Sequence, residues 1–231
     1  NIRKRKQLFT SIPSVSLGEF PIERCIPKLG SEMEIRAYKK LRSQPLTVGN
    51  MIRETRSNPK HSGKFATVYF YSTAYNWLPV FRRIPSEYLS TGNEFRAHAL
   101  ICKDSEQADF VFGVVSSRVA YWLWRVEGDG FHLNRSFLLD LPFHASLFSE
   151  ARYAEITELA RDLWDEIRHY PVKKFNAGKL SISYRPYACG DILDRLDMKI
   201  LQSFKIVGGF GHLLRDYVVD TVVAGRNDEA K

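Results

Sequence analysis

From Ala108, the apolar positions Ala108, Phe112, Val115, Val119 and Trp122 step by four or three, the spacing of one helix face. They lie in and beside Val114–Phe143, which reads VVSSRVAYWLWRVEGDGFHLNRSFLLDLPF. A helix this apolar has to be buried, so the rest of the chain must be arranged around it. Glu127-Gly128-Asp129-Gly130 stops the helix and turns the chain. Asn134-Arg135-Ser136 then caps a short turn that runs into Leu141-Pro142.

The flanking residues supply the cover. Before the helix, Phe65–Tyr71 is β-branched and aromatic and reads as a strand. Trp77–Ile84, ended by Pro85, is a second strand, and Phe95–Cys102 a third. In the third, Phe95, Ala97, Ala99 and Ile101 alternate with Arg96, His98 and Leu100. Upstream, Ile35, Tyr38 and Leu41 predict a helix over Glu32–Arg42, Val48–Arg56 a short element, and Asn58–Gly63 a turn. Downstream, Ser149 is the expected N-cap of a helix from about Glu150 to His169, with Tyr153, Ile156, Ala160, Leu163 and Ile167 as its stripe and Pro171 as its stop. Residues 173–190 read as irregular, with Tyr184-Arg185-Pro186-Tyr187 as an aromatic turn. Asp191–Phe204 reads as a helix capped by Asp191. After the Gly208-Gly209-Phe210-Gly211 break comes a last helix, His212–Ala224. Strands followed by helices predict an α+β fold, with a small mixed or antiparallel sheet carrying basic loops and a helical C-terminal part. The expected division is a recognition region over 1–148 and a helical region over 149–231 packing on it.

With 44% apolar and 13% aromatic residues the chain is not disordered throughout. No apolar run approaches the ~18–20 residues of a membrane-spanning helix. Cys25, Cys102 and Cys189 lie far apart without metal spacing, which argues against a disulfide framework and fits a reducing cytoplasm. The start, Asn1–Lys6, is polar and basic, with neither an initiator Met nor an apolar secretory segment. It reads as part of a longer protein.

The charge is one-sided. Residues 1–64 hold 14 Lys/Arg against 5 Asp/Glu, and residues 65–231 hold 20 against 21, so all of the formal +8 lies in the first quarter. Such a region favours a polyanion through released counterions and long-range attraction. It is not a regular amphipathic helix, since Pro13, Pro21, Pro27, Gly18 and Gly30 interrupt it, so nucleic acid is a better partner than a membrane surface.

Catalytic signatures are missing from the sequence. It contains no phosphate-binding loop of the G-x-x-x-x-G-K-[ST] type, no G-x-S-x-G elbow, no H-E-x-x-H and no paired Cys motif. Asp162, Asp165 and Glu166 match a solvated helix face. Asp191, Asp194 and Asp197 suit the positive end of a helix. A nuclease-like pattern on Asp194, Asp197 and Lys199 lacks a strand context.

On Ser116-Ser117 and on Leu133, Leu138, Leu141 and Pro142, the chain resembles the target-recognition domain of Taq-type adenine-specific DNA methyltransferases and of restriction specificity subunits. In those, a helix with a small-polar step leads through a loop to a Leu-Pro element. The resemblance covers about 30 residues and is general outside them. It implies a structural spine for sequence-specific duplex recognition, with S-adenosylmethionine and the N-P-P-[YF] motif in a separate catalytic domain, in cis or in trans. Here Asn58-Pro59 is followed by Lys60. The helix from about 150 to 169 is shorter than the coiled-coil spacer of a specificity subunit, which favours the methyltransferase or fused restriction-modification type.

Base reading needs long donors on loops beside a rigid scaffold. Arg53, Arg56, Lys60 and Lys64 are the expected phosphate contacts. Asn76, Arg82 and Arg83 are the expected base contacts, with Arg82-Arg83 equally readable as an exposed edge. Tyr75 and Trp77 are expected either to stack near a flipped base or to pack in the core. Two other readings stay open: a protein-interaction subunit of a defence complex, and a metal-dependent nuclease.

Overall fold

The computed structural model describes residues 25–57, 66–74, 77–91, 94–176 and 179–223. Ser31 opens helix α1 (Glu32–Arg42): its hydroxyl accepts from the Glu34 amide, while the Glu34 carboxylate accepts from Gly30 N and Ser31 Oγ. A 3-10 turn, Val48–Met51, leads to β1 (Glu54–Ser57). Then come β2 (Thr67–Phe70), β3 (Val80–Phe81), α2 (Ser86–Thr91) and β4 (His98–Ile101). Helices α3 (Ser105–Ser116), α4 (Arg118–Glu127), α5 (Arg135–Leu139) and α6 (Glu150–Ile167) follow. A hairpin of β5 (Val172–Asn176) and β6 (Lys179–Ser183) precedes α7 (Gly190–Ser203) and α8 (Phe210–Val218), which ends in a π turn, Val219–Val223.

The fold is α+β. The four-stranded sheet has the order β1-β4-β2-β3 and every pairing is antiparallel. Because β4 pairs with both β1 and β2, those two run the same way. Ser57, His98 and Phe70 align at one end of the sheet; Glu54, Ile101 and Thr67 align at the other. The expected in–out alternation of β4 breaks down, since Ala99 and Leu100 are both fully buried. A central strand covered on both faces has no polar side. Phe95 packs at 5.5 Å from both Tyr69 and Phe81, and α3 packs on β2 and β3.

The long apolar run folds as two helices, not one. Ser117 stands between them in extended backbone (φ −68°, ψ 158°). Its hydroxyl donates to Val114 O at 2.7 Å and accepts from Ala120 N at 3.1 Å, so it serves the end of α3 and the start of α4 together. Helix α6 matches its expected stripe and lies very close to α3: a Cβ at Gly113 would sit 2.8 Å from the Ala160 Cβ. Buried side chains from Ala37 to Val222 form one hydrophobic cluster.

Other expectations shift. The second strand shrinks to Val80–Phe81. Val172–Asn176 and Lys179–Ser183 pair as antiparallel strands, almost wholly within the stretch read as irregular. Helix α7 begins at Gly190 with Cys189 as N-cap, which puts Asp191 in its first turn. Gly209, at φ +84°, opens α8 two residues earlier than expected.

Candidate nucleic-acid interface

The Asp129 carboxylate accepts the amides of Phe131 (2.8 Å) and His132 (2.7 Å), shaping the turn after α4. The hydrogen bond with the His132 ring, helped by those two amides, holds it well below the usual carboxylate range. The turn then pairs with the chain leaving β2: Ala74 N donates to Phe131 O at 2.8 Å and Leu133 N to Ser72 O at 2.9 Å. This pairing sets Asn134 and Arg135 against the end of the sheet marked by Ser57, Phe70 and His98, around a cleft of about 230 Å³.

The cleft has a polar rim on an apolar floor. Arg135 Nη1 donates to Thr55 Oγ1 at 3.0 Å, and the residue is otherwise exposed. Asn134 is the N-cap of α5, but its side chain makes no capping hydrogen bond. His98 Nδ1 lies 3.2 Å from Ser57 Oγ, with its ring 5.2 Å from that of Phe70. Leu133, Leu138 and Leu141 are fully buried beneath. The polar Asn134-Arg135-Ser136 run is therefore the exposed insert in a buried leucine frame. That insert is the signal by which the sequence marks Asn134 and Arg135; nothing local points to His98, Ser57 or Ser72.

The sequence-predicted residues do not gather at one place. Lys60, Lys64, Tyr75 and Asn76 lie outside the described residues. Arg56 stands on β1 opposite Ala99, near the cleft, with its guanidinium on both Glu54 carboxylate oxygens at 2.7 Å. Arg53 is exposed at the other end of the sheet, where its amide donates to Ile101 O. Arg82 is a core residue, 7% exposed: it pairs with Asp109 and donates to Thr67 O and to Ser105 O and Oγ. Arg83 is exposed on a different cleft of about 260 Å³, shared with Arg161 and Asp165 of α6. Trp77 is 5% exposed and stacked flat on Tyr121, with ring centroids 4.5 Å apart, so of its two readings core packing describes its position.

The basic first quarter also divides. Lys28 donates to Gly128 O and Lys40 to Lys205 O. Arg42 pairs with Glu127 and donates to Asp140 O, joining α1 to the end of α4. Two acidic residues of α7 are equally committed. Asp194 pairs with Arg118 at 2.7 Å and Arg215 at 2.8 Å, and Asp197 with Arg118 at 3.0 Å. Burial pushes the Asp197 carboxyl up to about 6, against the pull of Arg118 and the amides of Arg118 and Val119. These two carboxylates together hold a buried arginine.

Comparison with known protein families, with curated proteins and with solved structures finds no match for this chain.

Proposed function

We propose that this chain is a duplex-DNA recognition module of an adenine-specific DNA methyltransferase or a fused restriction-modification enzyme, without catalytic activity of its own. One observation carries this reading. The cleft at the sheet end brings an arginine, an uncapped asparagine carboxamide, a histidine and two serines to a rim supported by a buried frame. Arginine and asparagine are the side chains that pair bidentately with guanine and adenine edges, and hydroxyls and guanidinium groups bind phosphates. Strand ends and a helix start hold most of them on a rigid support.

Anisotropy titration of a labelled duplex across a salt series tests the reading. Wild-type protein is expected to bind, with log affinity falling linearly in log salt. Arg135→Ala is expected to weaken binding and lower the slope by about one unit if it meets a phosphate, or to relax preference at one base position if it meets a base edge. Absence of binding at about 50 mM salt, where phosphate contacts are strong, refutes the reading. Transfer of methyl groups from S-adenosylmethionine would require the separate catalytic domain.

A further inference from the structure

The stretch from Arg168 to Gly190 carries five Lys/Arg and no Asp/Glu, in a part of the chain whose overall charge is balanced. The β5–β6 ribbon lies within it. Tyr88 Oη accepts from Ile182 N at 3.0 Å and donates to Leu180 O at 3.3 Å, which occupies the side of β6 that faces away from β5. Backbone groups alternate in direction along a strand, so Leu180 and Ile182, facing Tyr88, do not bond to β5. Their cross-strand partners are Phe175 and Lys173. Those two residues therefore turn their N–H and C=O groups to the outer edge of β5. That edge pairs with no strand among the described residues.

The two faces of β5 differ in chemistry. Cross-strand partners share a face, so Phe175 projects on the side of buried Leu180 and Ile182, yet it is 67% exposed. Lys173 projects on the same side and is tied to Glu87 at 3.3 Å. Lys174 projects on the opposite side, across from Ser181. It is exposed, and its side chain has no partner among the described residues. An open edge is a template for another strand, and lysine on it repels strands of like charge. A second copy of this chain is such a strand. Antiparallel pairing of two β5 edges through Lys173 and Phe175 sets Lys174 directly across from its own counterpart, which is unfavourable. The same charge favours an acidic strand.

We propose that the outer edge of β5 takes up an extended acidic segment of a partner protein as an added strand. Main-chain hydrogen bonds to Lys173 and Phe175 hold the segment, with an acidic side chain beside Lys174 and an apolar one against Phe175. The test is anisotropy titration of a short labelled peptide that alternates Val and Glu, against a control with Lys in place of Glu. Wild-type protein is expected to bind the Glu peptide and not the Lys peptide. Lys173→Pro removes an outward N–H without removing a bond to β6, and is expected to weaken binding about tenfold or more. Lys173→Ala keeps that N–H and is expected to bind like wild type. Lys174→Glu is expected to reverse the preference between the two peptides. Unchanged hydrogen exchange at Ile182 shows that the ribbon of Lys173→Pro stays folded; if it opens, the Lys174→Glu reversal decides. Failure of wild type to bind the Glu peptide overturns the proposal, as does equal binding by a folded Lys173→Pro and Lys173→Ala. If Lys174→Glu weakens binding of a labelled duplex and leaves the peptide preference unchanged, the ribbon meets nucleic acid and the proposal is overturned.

Discussion

Replacing Arg118 by Met removes the positive partner of a carboxylate that has no access to water. The Arg118 side chain is 6% exposed and that of Asp197 5%, and the Arg118 amide also donates to Asp197 at 3.0 Å. Breaking a buried pair from one side costs about 3–5 kcal/mol, because the remaining charge stays buried. For a chain of this length that lowers the unfolding midpoint by about 6–20 °C. Asp194, 33% exposed and also bound to Arg215, adds little to this loss. The deficit should depend on pH. A carboxyl raised in the folded state takes its proton more readily folded than unfolded, so stability falls as pH climbs from the ordinary value of 3.8 through the folded value. That fall ends at about 6 with Arg118 in place. Without its charge and hydrogen bonds the window extends upward, so Arg118→Met should be less impaired at pH 5 than at pH 8. Urea unfolding at the two pH values measures both effects, and Arg118→Met/Asp197→Leu should recover most of the loss. A loss below about 1 kcal/mol, the scale of an exposed pair, or an equal loss at both pH values, would refute the reasoning.

Gly113→Val should destabilise by about 1–3 kcal/mol, because its side chain must occupy space now held by Ala160; thermal unfolding reads it, and Ala160→Gly should recover part. Ser117→Ala removes the hydroxyl that serves two helix ends and should cost about 0.5–2 kcal/mol in the same assay. Tyr88→Phe leaves Ile182 N without its acceptor, a loss of about 1–3 kcal/mol for a buried donor; faster hydrogen exchange at Ile182 than in α6 is the expected sign. An unchanged Ile182 rate would mean that the ribbon is held by packing alone.

Elements defined within a turn or two of chain are legible in the amino-acid sequence. Helix α1 appears at its expected bounds, and α6 starts after Ser149, whose hydroxyl accepts from Arg152 N. The core of β2 lies within the expected strand, since its side chains favour extended backbone wherever it packs. The cleft is only partly legible. Arg56 comes near it, and the leucine frame of residues 133–141 is visible as an apolar pattern. The pairing of Leu133 with Ser72 that exposes Asn134 and Arg135 is not, because the two residues approach only after the sheet forms.

Sequence alone determined where helices and the main strand form, because caps and apolar spacing act over a few residues. Tertiary structure decided which charges are free. Arg82 and Arg83 are adjacent and alike in sequence, yet Arg82 is enclosed with Asp109, 27 residues away, and Arg83 faces solvent. The break at Ser117 likewise has Asp197 beside it, accepting the first amide of α4 from 79 residues away. A buried charge needs a partner to offset lost hydration, and only the folded chain selects that partner.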